Sequence, residues 1–269
     1  MPCMTLLDLA PAEIRLLLAC ARCGPVPAPV ARTYFAVSRR RLDTLVDANL
    51  MVLAGMLVVP ACLRRAFRGA PLPTTVPCFT ASTKALRALV RRRTISGWIR
   101  VHALVPTPHL CRLLAIFLAA PPAVRRSWQS EREVLDQWFA DEGLWGKDRL
   151  RARRPRLPDA AFVEGGLTVA LEIHNERRGP VERHPDILAK RAAIVGPPSP
   201  GVPTHRGRFN ELRVVTIRGT VYRCFPDGSI SEVVPVPCPE GPPDGVYPFS
   251  GSWEGDPFEL LDDPLDRDW

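Results

Sequence analysis

The sequence predicts an α+β protein with two folded domains and an acidic tail. Capped amphipathic helical segments alternate with apolar runs of strand length. A Gly165-Gly166 pair joins two such runs as a hairpin turn, and proline, glycine and acids dominate from Pro235 onward. The 269 residues are 46% hydrophobic and 24% charged, the composition of a chain that mostly folds.

The first helix is expected over Leu9–Cys23, with Pro11 in its opening turn, Ile14, Leu17 and Leu18 on one face, and Gly24-Pro25 as its stop. A short helix follows over Val30–Ala36. A third runs from an N-cap at Ser38 to about Leu50, with Leu42, Leu45 and Val46 inward. Met51–Leu53 and Met56–Val59, joined by Ala54-Gly55, read as a β-hairpin. Three helices and a hairpin are the order of a winged helix-turn-helix, assigned to residues 1–100. Arg39, Arg40 and Arg41 then become the major-groove probes. Their place in a helix's first turn opposes the macrodipole, which favours a functional reason for them, although a capped helix with solvated arginines also serves solubility.

Residues 62–78 read as an irregular basic connector, and Ser82–Arg93 as a helix ending in Arg91, Arg92 and Arg93, a further basic patch. A helical linker is assigned to 101–126, with the apolar helix Pro108–Ala119 packing between the domains. A second domain takes 127–235, opening with a helix over Ser127–Phe139, and a flexible acidic tail takes 236–269.

Charge is segregated. The formal net of +8 divides into 15 basic and 4 acidic residues over 1–100, 13 and 7 over 151–220, but 2 and 11 over 221–269. Two basic bodies point to double-stranded DNA, because clustered cations release counterions condensed on nucleic acid. Only Lys84, Lys147 and Lys190 among the 36 cations are lysine, a bias that GC-rich coding alone also produces. The most apolar run, Leu110–Ala120, contains Arg112 and falls far short of a bilayer span, and the N-terminal stretch carries Asp8 and Glu13 where a signal peptide would be apolar. No membrane association and a cytoplasmic, bacterial location are expected. The eight cysteines hold one C-x-x-C, Cys20 and Cys23, without a second pair, so structural zinc is not expected.

The stretch that carries chemistry is 151–190. A turn centred on Gly165-Gly166 sets Asp159 directly opposite Glu172, with Cβ atoms about 4.5–5.5 Å apart. Two facing carboxylates call for a cation between them, and a hard divalent ion with oxygen ligands suits that role. The same register puts Ala160, Phe162, Val169, Leu171 and Ile173 on a core face and Asp159, Glu172 and His174 on the other. Arg151, Arg153, Arg154 and Arg156 precede the acids as a phosphate-approach surface. A plain surface hairpin with outward acids is the alternative.

Pro158-Asp159, the hairpin and Glu172-Ile173-His174 resemble the PD-(D/E)XK nuclease motif. The whole layout is similar to the replication-relaxation family of plasmid and mobile-element proteins: the winged helix, the Phe79-Thr80 to Leu86 segment, His102 in a linker, and Ser130-Glu131-Arg132-Glu133. The resemblance covers roughly 8–220 and implies a restriction-endonuclease-like α/β domain with a mixed sheet. In it, Asp159, Glu172 and the Ile173 carbonyl hold Mg2+ or Mn2+, Lys190 or His174 orients the water, and Glu131 completes the shell. His174 stands in the lysine slot, a departure that leaves open whether the site is active or degenerate. The implied function is DNA processing or replication of a mobile element, as a Mg-dependent endodeoxyribonuclease where the site is active. The alternative is a non-catalytic transcriptional or copy-number regulator whose second domain mediates homodimerisation or partner binding.

Overall fold

The computed structural model describes residues 8–91, 105–174, 184–197, 203–205, 207–216 and 220–233. The chain is a mixed α and β protein that divides into two compact units, one running to Pro122 and the other from Ala123.

In the first unit, α1 (Pro11–Cys23) starts at a proline and buries Ile14, Leu16, Leu17 and Leu18. Its Glu13 is also buried and accepts the Ala10 N–H at 2.9 Å, satisfying a donor at the helix start. After a two-residue strand β1 (Val26–Pro27) come α2 (Ala28–Phe35) and α3 (Arg39–Asp47). The Ser38 hydroxyl accepts from Arg41 N at 3.3 Å as the N-cap of α3, and Leu42 and Leu45 turn inward.

The hairpin expected at Ala54-Gly55 is not formed. Residues 51–58 make one continuous strand, β2 (Met51–Val58), with a bulge between Leu53 and Gly55, and its partner is β3 (Thr75–Ala81). Gly55 has φ 133°, so the apparent turn glycine supplies the bulge instead. The basic connector therefore contributes β3 at its end, and 59–74 forms the long β2–β3 connection, in which Leu63, Phe67 and Leu72 are buried and Phe67 meets the Tyr34 ring of α2 edge-on at 6.3 Å. The sheet order is β1-β3-β2, all antiparallel. A further helix, α4 (Thr83–Arg91), follows, its start held by Ser82, whose hydroxyl accepts Ala85 N at 3.1 Å. Helix α5 (Pro108–Ala119) packs on α1 and the 3-10 turn Ala61–Leu63. It belongs to the first unit, and its apolar residues are buried almost all round.

The second unit begins with α6 (Pro122–Ser127), the short strand β4 (Gln129–Ser130) and α7 (Glu131–Asp141). Helix α7 starts four residues later than expected because Ser130 is its cap. Ser130 Oγ accepts from Glu133 N at 3.4 Å while Glu133 Oε2 accepts from Ser130 N at 2.8 Å, a reciprocal capping box. A short helix α8 (Asp148–Arg151) leads to β5 (Ala160–Glu164), β6 (Leu167–His174), α9 (Pro185–Ile194), β7 (Glu211–Thr216), β8 (Val221–Cys224) and β9 (Ile230–Val233). These strands form a mixed sheet in sequence order from β4 to β9. Only the β6–β7 pair is parallel, its connection carrying α9. Val134 of α7 and Ile187 and Ile194 of α9 pack with Ala161, Ala170, Leu212, Val214 and Cys224 on one face of the sheet.

Candidate functional site

Gly165 and Gly166 have φ 56° and 81°, the pair of left-handed residues that a two-residue hairpin needs. The β5–β6 register is the expected one: Ala160 opposes Leu171, Phe162 opposes Val169, and Glu164 opposes Leu167. Continued one step, it brings Asp159 beside Glu172, at the end of the ladder. There Asp159 N donates to Leu171 O at 2.9 Å, and Asp159 Oδ2 accepts the Ile173 N–H at 2.7 Å. The carboxylate thus serves as a backbone acceptor where regular pairing stops. In an extended strand a residue's carbonyl and N–H point to the same side, so the Ile173 carbonyl faces the β5 side of β6.

The expected outward face differs from the observed one. Positions 169–174 of β6 are all buried, including Glu172 (6% exposed) and His174 (4%). The reason is topological: β6 lies between β5 and β7, and α7 and α9 cover the face that holds Ala161 and Ala170. A buried carboxylate needs a counter-charge. Lys190, one turn from the end of α9, supplies it, with Nζ 2.6 Å from each Glu172 oxygen. The structure therefore joins Glu172 to Lys190 and Asp159 to Ile173 where the β5–β6 pairing ends.

His174 meets the ring of His184 edge-on at a centroid separation of 4.9 Å. His184 is the N-cap position of α9, next to Pro185 at its first turn. Sequence reasoning did not single it out, although His-Pro-Asp marks a helix start. Glu131, expected to complete the shell, is exposed at the first position of α7, and the nearby Glu133 is engaged in the capping box. Among the described residues, no group of three or more His, Cys, Asp or Glu side chains is arranged to hold a metal ion. The donor types still suit Mg2+ or Mn2+, since such ions are commonly held by one or two carboxylates with waters and phosphate oxygens completing the shell.

The cations fall into distinct groups. Arg41 is paired with buried Glu13 through both Nε and Nη2, the latter 3.1 Å from Oε2, and this bond raises its already high pKa further. Arg39 is paired with Asp43 at 3.1 Å and lies over the Phe79 ring at 5.0 Å. Arg40 is exposed and forms no ion pair among the described residues. Two of the three expected groove probes are therefore engaged within the first unit. Arg91 is exposed at the end of α4, and Arg92, Arg93 and His102 lie outside the described residues. Arg64 and Arg65, in the β2–β3 connection, are exposed cations that the reading as a connector passed over.

In the second unit Arg151, Arg153 and Arg154 are exposed, and Arg156 is 3.9 Å from Asp186 of α9, both more than half exposed. The segment is anchored from below by His205, whose Nε2 donates to Arg156 O at 3.0 Å. Burial lowers the His205 pKa to about 4. On the sheet, buried Glu211 binds Arg213 (2.8 Å) and Arg223 (2.6 Å), and Arg213 reaches Glu164 at 2.6 Å. Burial alone would raise the Glu211 pKa, but the hydrogen bonds from Arg223 and Arg213 outweigh it and hold the carboxyl below its ordinary value.

No helix among the described residues is long and apolar enough to cross a membrane. No family model matches the chain, and neither a curated protein nor a solved structure is found to match it.

Proposed function

We propose that the protein is a DNA-binding factor whose second unit carries a nuclease-like site, of the kind found in replication-relaxation proteins of plasmids and mobile elements. The observation that carries this reading is the convergence of Asp159, Glu172 and Lys190 at one end of a mixed sheet, beside a run of exposed arginines. Asp159 and Glu172 would hold a divalent ion, with the Ile173 carbonyl directed to the same edge. Such an ion, when bound, polarises a phosphate and lowers the pKa of water. Lys190, already at Glu172, is the cation placed to orient a nucleophile, which compensates for His174 in the lysine slot. Arg151, Arg153 and Arg154 guide the phosphate backbone toward that edge.

The first unit's element order, with sheet order β1-β3-β2, supports a winged helix-turn-helix in which α3 reads the groove. Arg40 is then its available probe, and the β2–β3 connection with Arg64 and Arg65 is the wing.

The test is nicking of supercoiled plasmid in Mg2+ or Mn2+. The native chain is expected to nick, and Asp159→Ala and Glu172→Ala to lose it; equal nicking by all three overturns the catalytic assignment. The absence of a third side-chain ligand among the described residues and the engagement of Glu172 by Lys190 favour one second reading, a regulator that binds DNA without cutting it. In that case a gel shift in EDTA persists, weakens steeply with salt, and nicking is absent.

A further inference from the structure

The turn after α7 holds an exposed indole that the site described above does not use. Trp145 is 62% exposed. Gly143 (φ 66°) and Gly146 (φ 53°) flank Leu144-Trp145, and these left-handed positions let the chain reverse tightly around the tryptophan. Beneath the indole lies the Arg149 guanidinium, 5.1 Å from the Trp145 ring and 5.1 Å from the Phe139 ring on α7. Arg149 is fixed in place: its Nε donates to Leu144 O at 3.0 Å, and its Nη1 lies 3.5 Å from Asp136. Leu144 in turn packs with Leu135, Trp138 and Phe139. The indole is thus pre-organised on a held cation that itself lies over a buried aromatic, and most of its surface is in water.

Along the chain from Asp141 to Arg154 the cations Lys147, Arg151, Arg153 and Arg154 are exposed, with Arg154 over the same Phe139 ring as Arg149 at 5.8 Å; the acids of this stretch are Asp141, Glu142 and Asp148, and Asp141 is partnered by Arg208 at 3.6 Å. An exposed aromatic face among phosphate-binding cations is the arrangement that takes unpaired bases by stacking while the backbone follows the charge. A duplex offers no base face to such a ring. A purely apolar partner would leave the surrounding arginines desolvated without counter-charges.

We propose that Trp145 is a base-stacking platform for single-stranded nucleic acid, with Lys147, Arg151 and Arg154 as its phosphate contacts. This rests on the nucleic-acid reading above and adds to it the substrate class, an unpaired strand led along the arginine run toward the acids at the end of β5 and β6.

The experiment measures fluorescence anisotropy of labelled oligothymidylate of about 16 nucleotides and of a duplex of equal length, with the full chain in EDTA. Trp145→Ala is expected to weaken single-strand binding about tenfold or more while moving duplex binding less than about twofold, and Trp145→Phe to restore most of the loss. Exposure of the side chain makes unchanged circular dichroism the expected control. Duplex binding with single-strand binding absent, or present but indifferent to Trp145→Ala, overturns the platform and leaves the DNA reading standing. Binding of neither form overturns both. Trp145-dependent binding by a chain that does not nick plasmid upholds the platform and removes only the catalytic assignment.

Discussion

Acidification below about pH 6.5 is expected to destabilise the second unit through His205. Its ring is 4% exposed, packs edge-on against Phe209 at 5.1 Å, and donates from Nε2 to the Arg156 carbonyl, which fixes the neutral tautomer with its proton on that nitrogen. Nδ1 is buried without a hydrogen-bond partner, so a second proton there would be a buried charge without an acceptor. Burial is the main cause of the lowered pKa; the backbone bond to Arg156 and the charge of Asp141 oppose it, and the charge of Arg208 reinforces it. The folded pKa of about 4 lies below the ordinary 6.5. Between these values the unfolded chain binds a proton that the folded chain does not, so stability falls as pH falls from 6.5 to 4 and levels off below. The gap amounts to about 3 kcal/mol, a large share of the roughly 5–15 kcal/mol that stabilises a domain. Urea unfolding of the native chain and of His205→Gln, followed at several pH values across this window, isolates the contribution by subtraction, since the other titrating groups are common to both. Equal pH slopes in the two proteins, or a His205 ring titrating near 6.5 by NMR, would refute the reasoning.

Glu211→Gln is expected to cost about 3 kcal/mol in urea unfolding at neutral pH, because it removes the anion shared by buried Arg213 and by Arg223. Since the Glu211 pKa is held below its ordinary value when folded, its contribution is present above about pH 4.5 and is lost as pH falls through the folded pKa. In the first unit, Arg41→Ala should lower the melting temperature by several degrees, because Glu13 is left buried without its cation, whereas Arg40→Ala should leave melting unchanged and weaken duplex binding. Weakened binding by Arg41→Ala at fully native stability would show instead that Arg41 is a groove contact.

What was legible in the sequence was what neighbouring residues decide. Ser38 caps α3, Pro108 opens α5, and Gly165-Gly166 fixes the β5–β6 register, because cap hydroxyls, proline N1 positions and positive-φ glycines act within a few residues. The same rule misled at Ala54-Gly55, where a glycine between two apolar runs serves a bulge and the true partner of β2 lies beyond the 59–74 connection. The burial of Glu172 and His174 was hidden for a related reason. Alternation along β6 announces a half-buried strand, but Val169, Leu171 and Ile173 are matched on the opposite face by Ala170 beneath α7 and α9, and helix packing is a long-range event.

Arginine was the residue least legible in isolation, and the structure shows why. A guanidinium serves equally as a phosphate contact and as a partner for a carboxylate or an aromatic ring, so only the distant chain reveals which. Arg41 meets Glu13, Arg213 and Arg223 meet Glu211, and Arg149 lies between Phe139 and Trp145. These cations neutralise or shield groups of their own unit, and their removal should register first as lost stability. Arg40, Arg64, Arg65 and Arg151 are exposed, and their removal should register first as lost affinity and a shallower salt dependence. Lys190 belongs to both classes. It compensates the buried Glu172 in the folded chain, and it is also the cation nearest the two acids on which the proposed chemistry depends. In the proposed site the ammonium reaches that carboxylate from α9 rather than from the position of His174.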